Sequence, residues 1–349
     1  MNNIPPYWKT SNEDVLNLVT EASCGKIVGK TLSAGNRPIH LLLYGKKNDL
    51  KRTANLSSAL GAGFRKNYAD KTDPNYRPTV LLVGCIHGGE FEGTMALLNL
   101  INILEKGVDL KGDRNDFLCN AKDRVNILII PCLNPDGRSR VDFHSFVGKT
   151  LSELRYYNQG TWNDGTLCGW PECKLIHPMK GHCKFMGAYF NDDGVNMMHD
   201  NFFGEKASET QFLFDAVESY SPDFTILLHG GLNTEGCLLK PSYAPDAVKE
   251  CVFNLEQAIE EHCIREYLPF CLMPMDRGEN NLTPSSFNLV SALYHLNGEP
   301  CVTYESNQGL VDSKGYPMTH DEIYRAHMVL FEETIRYIEE KEEQKRDER

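Results

Sequence analysis

The sequence has little positive charge and no long apolar run. Its 36 lysines and arginines stand against 48 aspartates and glutamates, which gives a formal net charge of −12. A protein that binds nucleic acid by neutralising phosphates needs an excess of basic side chains, so we expect no nucleic-acid partner. Apolar runs such as residues 79–86 fall well short of the roughly 20 residues of a membrane-spanning helix. We therefore also expect no membrane partner.

Two further features indicate a cytoplasmic protein. The first twenty residues carry polar or charged side chains throughout and contain no apolar stretch of signal-peptide length. The twelve cysteines are scattered along the chain, whereas a small secreted scaffold clusters them, and we interpret most of them as reduced, buried thiols. With 41% hydrophobic residues, the 349-residue chain is able to bury a large core.

Short apolar runs alternate with stretches of helical spacing. Four runs rich in β-branched residues have the length of strands that are buried on both faces. These runs are residues 79–86, 125–131, 224–229 and 301–305. Helical spacing of apolar residues occurs in stretches 92–104, 207–220 and 321–338. The alternation predicts an α/β fold with a mixed, mostly parallel central sheet covered by helices on both faces.

The chain contains no convincing linker, so we expect a single domain over residues 1–349. Residues 26–45 predict two further strands joined by a turn. Residues 155–191 are rich in glycine, proline, cysteine, histidine and aromatics but lack periodicity, which predicts a long ordered loop of the kind that is usually functional. Residues 339–349 form a charged tail.

Chemically active side chains follow three of the predicted strands. The first strand runs into His87-Gly-Gly-Glu90, the third ends at His229, and the fourth ends at Glu305. Ligand sites gather at the carboxyl ends of strands in open α/β sheets, and two histidines with one glutamate leave a fourth position on zinc open, as in catalytic sites. Glu305 suits a general base beside such a metal, although taken alone it would be interpreted as a solvated glutamate at a strand end.

The order and context of these residues resemble the M14 family of zinc carboxypeptidases and its deacylase relatives. The resemblance runs from about Ile27 to Ile338. The segments that carry it are GCIHGGE at 84–90, NPDG at 134–137, GVNMMH at 194–199, ILLH at 226–229 and YE at 304–305. It implies a zinc carboxypeptidase-like fold.

The resemblance also implies roles for individual residues. His87, Glu90 and His229 would bind one catalytic zinc ion, and Glu305 would be the general base that activates the zinc-bound water. Asn134 and His199 are the expected substrate contacts. An arginine that polarises the scissile carbonyl is sought among residues 138, 140 and 155, and we expect Arg140 to take this role.

The segment after Gly194 departs from the family pattern. Carboxypeptidases have D-x-N-R there, in which the aspartate supports a zinc-binding histidine and the Asn-Arg pair holds the terminal carboxylate of the substrate. This chain has Asn196, Met198 and His199 at those positions. Asn196 is able to accept a hydrogen bond from His87, but methionine and histidine supply no bidentate guanidinium clamp. Arg277 is a candidate replacement.

Two interpretations of the cysteine- and histidine-rich part of the long loop, residues 168–183, stay open. Its ligand types suit a second, structural zinc, but their spacing matches no common finger or ribbon. Alternatively, the loop forms a wall of the active site that restricts entry to small or narrow substrates.

The leading hypothesis is zinc-dependent hydrolysis of an amide or peptide bond by a metallocarboxypeptidase-like enzyme, with a peptide or small amide as substrate. An alternative is a zinc-dependent deacylase or amidase that acts on a small substrate resembling an N-acyl amino acid. A third hypothesis is a binding protein that has kept the fold and lost turnover.

Overall fold

The computed structural model describes residues 4–274 and 286–347 of the chain. Its strands are β1 Lys26–Leu32, β2 Pro38–Tyr44, β3 Thr79–Val83, β4 Asn126–Ile130, β5 Gly160–Trp162, β6 Cys183–Met186, β7 Phe224–Gly230, β8 Cys237–Leu239 and β9 Cys301–Ser306. Its helices are α1 Asn12–Glu21, α2 Leu56–Gly61, α3 Phe91–Lys106, α4 Asp116–Ala121, α5 Pro135–Ser139, α6 Leu151–Leu154, α7 Ser208–Tyr220, α8 Asp246–Arg265, α9 Leu289–Asn297 and α10 His320–Asp347.

A seven-stranded sheet forms the centre of the molecule, in the order β1-β2-β4-β3-β7-β9-β8. The four runs predicted as buried strands occupy its middle, and they pair in parallel as β4-β3-β7-β9. Antiparallel strands β2 and β8 flank them. Each residue of β3, β4 and β7 is buried, as expected for strands covered on both faces. The predicted mixed α/β fold is therefore confirmed.

Helices cover both faces of this sheet. Alternate residues of the strands enter two different apolar layers, so that Leu82 packs on one face and Leu81 on the other. The first layer contains apolar side chains of α1, α3, α8 and α10, and the second contains those of α7 and α9. No described helix is long and apolar enough to cross a membrane.

Several local details differ from the sequence-based expectations. The first predicted strand ends at Val83, since Cys85 adopts a left-handed backbone conformation with a φ of 54° and turns the chain towards His87. The long loop at 155–191 contains the two-stranded sheet of β5 and β6. The charged tail continues α10 as far as Asp347. In agreement with the expectation of reduced thiols, each of the twelve cysteines is free.

Candidate active site

The carboxyl ends of β3, β7 and β9 meet at one edge of the sheet and carry the candidate residues. His87 follows the end of β3, and His229 lies near the end of β7. His229 pairs in register with Glu305 on the neighbouring parallel strand. Because this register sets the two side chains side by side, the strand pairing itself brings the candidate base next to a candidate metal ligand.

His87, Glu90 and His229 converge into a buried cluster. The Nδ1 atom of His87 lies 2.8 Å from Glu90 Oε1, and the Nδ1 atom of His229 lies 2.7 Å from Glu90 Oε2. One ligand atom from each residue lies within 4.8 Å of the other two. Three or more histidine, cysteine or carboxylate side chains that are close enough to share a metal ion occur, among the described residues, at this cluster.

The electrostatics of this cluster suit a cation. Burial alone would raise the pKa of Glu90, but the two histidines lower it to about 2, so that a negative charge is held inside the protein. Burial lowers the pKa of His87, which keeps this imidazole neutral and able to donate a lone pair. Burial acts to lower the pKa of His229, but the charge and hydrogen bond of Glu90 and the charge of Glu305 together raise it. Two imidazole nitrogens and one carboxylate form a donor set that fits zinc.

Two neighbours set the orientation of the His87 ring. Its Nε2 atom lies 3.2 Å from Oδ1 of Asn196, as the sequence suggested, which leaves Nδ1 free for the cluster. The Tyr189 ring stacks on the imidazole with centroids 3.7 Å apart and an interplanar angle of 7°. The hydrogen bond to Asn196 therefore fixes one edge of the imidazole, and the stacked Tyr189 ring fixes its plane.

The two glycines between His87 and Glu90 allow other segments to approach closely. A Cβ atom on Gly88 would lie 2.1 Å from the backbone nitrogen of Arg138, and one on Gly89 would lie 1.7 Å from Oδ1 of Asn158. Any larger residue at either position would push these segments away. The glycines thus permit the packing that surrounds the cluster.

Glu305 is partly buried beside His229. A Cβ atom on Gly231 would lie 2.9 Å from Oε2 of Glu305, so this glycine leaves room for the carboxylate. Burial raises the pKa of Glu305 to about 7, against the lowering effect of His229. A cation bound next to it would lower this pKa.

The arginines after β4 are bonded to the protein itself. The Arg140 guanidinium donates to the carbonyl oxygens of Gly187 and Phe190 and to the carboxylate of Asp192. Arg138 is buried and donates to the carbonyl oxygens of Thr10, Val141 and Phe143. These contacts favour a structural role for both arginines over the predicted polarising role of Arg140. The third candidate, Arg155, is exposed.

Asn134 is fully buried at the start of α5. Its Oδ1 atom accepts from the backbone nitrogen of Gly137 at 2.8 Å, and its amide group donates to the carbonyl oxygens of Ile86 and Ala188. Since both ends of this side chain are bonded to backbone, the contacts favour shaping of the site over the predicted contact with substrate.

His199 ends a 3₁₀ turn that begins after Asn196. Burial lowers the pKa of His199 to about 4, and the charges of Lys174, His87 and His177 add to the effect. The ring is therefore neutral near pH 7, and its Nδ1 atom lies 3.4 Å from Oγ of Ser286. The candidate anion binder Arg277 lies outside the described residues.

The residues of the long loop pack together, and the described part of the chain holds no second ligand cluster there. Cys168 and Cys173 are buried in an apolar group with Met179, Tyr189 and Phe190. His177 accepts a hydrogen bond from the backbone nitrogen of Asn196 at its Nε2 atom. These contacts favour a wall of the site over a structural zinc.

Sequence reasoning missed Tyr189 and Lys174. Tyr189 lies five residues before the recognised GVNMMH segment and has no spacing that would mark it. Lys174 lies on the aperiodic loop, and its charge acts on His229, Glu305 and His199. Both residues reach the cluster only through the tertiary packing of the loop, so a local sequence signal was lacking.

Solved structures share this fold at low sequence identity. A metallo-carboxypeptidase from Burkholderia cenocepacia is 15% identical, with a TM-score of 0.57 over 93% of this chain and 67% of that protein. The carboxypeptidase A from Helicoverpa armigera is 14% identical, with a TM-score of 0.53 over 95% of this chain and 74% of that one.

A metallo-carboxypeptidase from Pseudomonas aeruginosa, solved in complex with (2-guanidinoethylmercapto)succinic acid, is 13% identical. Its TM-score is 0.52 over 93% of this chain and 66% of that protein. This chain thus spans about two thirds of the length of the bacterial structures. At these identities the likeness shows the fold alone. No curated protein sequence matches the chain.

Comparison of the sequence with family profiles gives a match that includes the candidate metal ligands. The sequence profile described as zinc carboxypeptidase matches residues 19–231, which is more than half of the chain. The matched region contains His87, Glu90 and His229, and it ends before Glu305. With the family profile, the fold and the cluster in agreement, the chain belongs to the M14 family of zinc carboxypeptidases.

Proposed function

We propose that this protein is a zinc-dependent hydrolase that cleaves an amide or peptide bond in the manner of a metallocarboxypeptidase. The observation that carries the proposal is the buried His87–Glu90–His229 cluster, with Glu305 beside it on the adjacent strand. Family membership adds an independent reason to expect hydrolysis of peptides.

The two histidines and Glu90 would hold the zinc ion through one ring nitrogen each and a carboxylate oxygen. When bound, zinc supplies Lewis-acid polarisation of a carbonyl group and lowers the pKa of water. Asn196 and Tyr189 keep the His87 ring in place, so that its Nδ1 atom stays directed at Glu90.

Glu305 moves the proton in this proposal. Its carboxylate accepts a proton from the attacking water and then gives it to the nitrogen that leaves with the second product. A general base works best when its pKa lies near the working pH, and partial burial moves the pKa of Glu305 in that direction. The Asn134–Gly137 turn and Gly88 shape the surrounding pocket.

A deacylase or amidase is the second candidate. The observation that favours it is the loss of the Asn-Arg pair, since Met198 is buried in the apolar layer and His199 is neutral. Such an enzyme would act on a small substrate resembling an N-acyl amino acid. A wall formed by the loop at 155–191 would restrict entry to small or narrow substrates in either case.

The metal site is tested by elemental mass spectrometry after loading with zinc. We expect about one zinc ion per chain in the wild-type protein and none in His229→Ala, because two remaining ligands hold zinc poorly. His295→Ala, an exposed histidine on α9, serves as the control and should keep its zinc. A folded wild-type protein that takes up no zinc would refute the site.

The stacking of Tyr189 on His87 predicts an effect on metal affinity. Tyr189→Leu removes the flat surface that holds the imidazole and should weaken zinc binding about tenfold, as changes around metal ligands do. Tyr189→Phe keeps the ring and should bind zinc like the wild type. Competition with a chromophoric chelator measures both affinities. Equal affinity in the leucine variant would show that stacking has no part in holding His87.

If Glu305 is the general base, its substitution should lower kcat and leave the zinc content unchanged. Glu305→Gln keeps the shape of the side chain but removes the base, so kcat should fall about 100- to 10,000-fold while zinc content stays at the wild-type level. Glu340→Gln makes the same chemical change at an exposed position on α10 and should leave kcat unchanged. Full hydrolytic rate in Glu305→Gln would contradict the proposed mechanism.

A pair of substrates separates the two candidate functions. A carboxypeptidase should release phenylalanine from benzoyl-glycyl-phenylalanine and leave N-acetyl-phenylalanine intact. A deacylase of N-acyl amino acids should prefer N-acetyl-phenylalanine. Both substrates carry a free carboxylate and release phenylalanine, so the ratio of their kcat/KM values compares a peptidyl acyl group with a small acyl group.

A further inference from the structure

The loop segment from Cys168 to Cys183 contacts two residues, Tyr189 and Asn196, that in turn contact the metal ligand His87. On one side, Cys173 packs in the same buried group as Tyr189, whose ring lies on His87. On the other side, His177 accepts a hydrogen bond from the backbone nitrogen of Asn196 at 2.9 Å, and the side chain of Asn196 bonds His87. These contacts tie the loop that carries the turn Glu172–Lys174 to residues that contact His87.

Lys174 brings a positive charge near the cluster, since its charge interacts with those of Glu305 and Glu90. Its ammonium group lies 4.9 Å from the centroid of the Trp170 ring, and no described carboxylate comes within ion-pair distance of it. Burial lowers the pKa of Lys174, whereas the charges of Glu305 and Glu90 act in the opposite sense. The side chain remains exposed enough to meet a ligand.

Three other basic side chains that the sequence or the family pattern suggested are less available to an anion. The guanidinium groups of Arg138 and Arg140 donate hydrogen bonds to backbone carbonyl oxygens, and that of Arg140 also binds Asp192. His199, which stands where carboxypeptidases have their clamping arginine, is neutral near pH 7. Lys174 is thus an exposed cation, without a carboxylate partner among the described residues, whose charge acts on both Glu305 and Glu90.

We propose that Lys174 is the specificity-determining residue of the cleft and that it binds a carboxylate group of the substrate beside the metal cluster. This inference rests on the proposed hydrolase function and narrows its substrates to anionic amides. A lysine ammonium is a point charge on a flexible stem, whereas arginine offers a rigid fork. Lys174 therefore recognises the charge of the substrate without the fixed bidentate geometry of an Asn-Arg pair.

Binding of two related acids to the zinc-loaded protein tests the proposal without turnover. The compound 2-benzylsuccinate has two carboxylates, one for the metal and one for Lys174, and 4-phenylbutanoate lacks the second one. Isothermal titration calorimetry should give tighter binding of 2-benzylsuccinate by the wild type. Lys174→Met should weaken that binding about tenfold to a hundredfold and leave 4-phenylbutanoate unchanged, because one charged hydrogen bond is lost.

Two further variants serve as controls. Lys174→Arg keeps the positive charge and should retain most of the preference for the dicarboxylate. Lys180→Met removes another lysine of the same loop, one that is paired with Asp193 at 2.7 Å, and should bind both acids like the wild type. Zinc content is measured for every variant, so that changes in binding are compared at equal metal loading.

Several results would overturn the role of Lys174. One is equal binding of 2-benzylsuccinate by Lys174→Met and the wild type, and another is an equal loss for both acids, which indicates general distortion of the cleft. A wild type that does not prefer the dicarboxylate, or a variant that loses kcat with its binding preference intact, also contradicts it. Failure of the hydrolase itself is seen separately, as missing zinc or as the absence of amide cleavage by a zinc-loaded wild type.

Discussion

The structure of the site depends on one buried negative charge, the carboxylate of Glu90. Its two oxygens are 2.8 and 2.7 Å from the Nδ1 atoms of His87 and His229, and all three residues are buried. A charge without a partner in the interior is strongly unfavourable, so this carboxylate requires positive charge next to it. A protonated imidazole satisfies part of that need, and a divalent cation satisfies it more fully. The placement of β3 and β7 as neighbours in the sheet brings the two histidines together around Glu90.

The surroundings of the cluster keep it in this arrangement. Asn196 accepts from His87 and its own backbone is bonded to His177, so a single residue links the metal ligand to the long loop. Gly88 lets the turn after Asn134 approach the strand end, and that turn is closed by the buried amide of Asn134. Loss of one of these contacts would free a ring nitrogen or a loop, and the direction of the ligand atoms would then be less well defined.

Local sequence patterns predicted most of the fold and the residues at the centre of the site, but they did not predict the contacts of Arg140 and Lys174. The buried parallel strands show as continuous apolar runs, and His87, His229 and Glu305 directly follow or end those runs, so their meeting at one edge was predictable. The position of Arg140 relative to the cluster depends on Asp192 and Phe190, which lie about 50 residues further along the chain. Lys174 reaches the site through the packing of an aperiodic loop. Such contacts depend on the tertiary structure, so the local spacing of residues in the sequence does not predict them.

The departures from the carboxypeptidase pattern form a consistent set when their charges are considered together. Replacement of the family aspartate by Asn196 removes one negative charge near His87, and replacement of the arginine by the neutral His199 removes one positive charge. These two changes cancel in formal charge, while the loop adds the ammonium group of Lys174 near the cluster. In the proposed role of Lys174, the positive charge that meets the substrate lies on the loop and not in the segment after Gly194. Because a lysine ammonium stands on a flexible stem, this arrangement would keep selectivity for charge and relax the requirement on the exact position of the carboxylate.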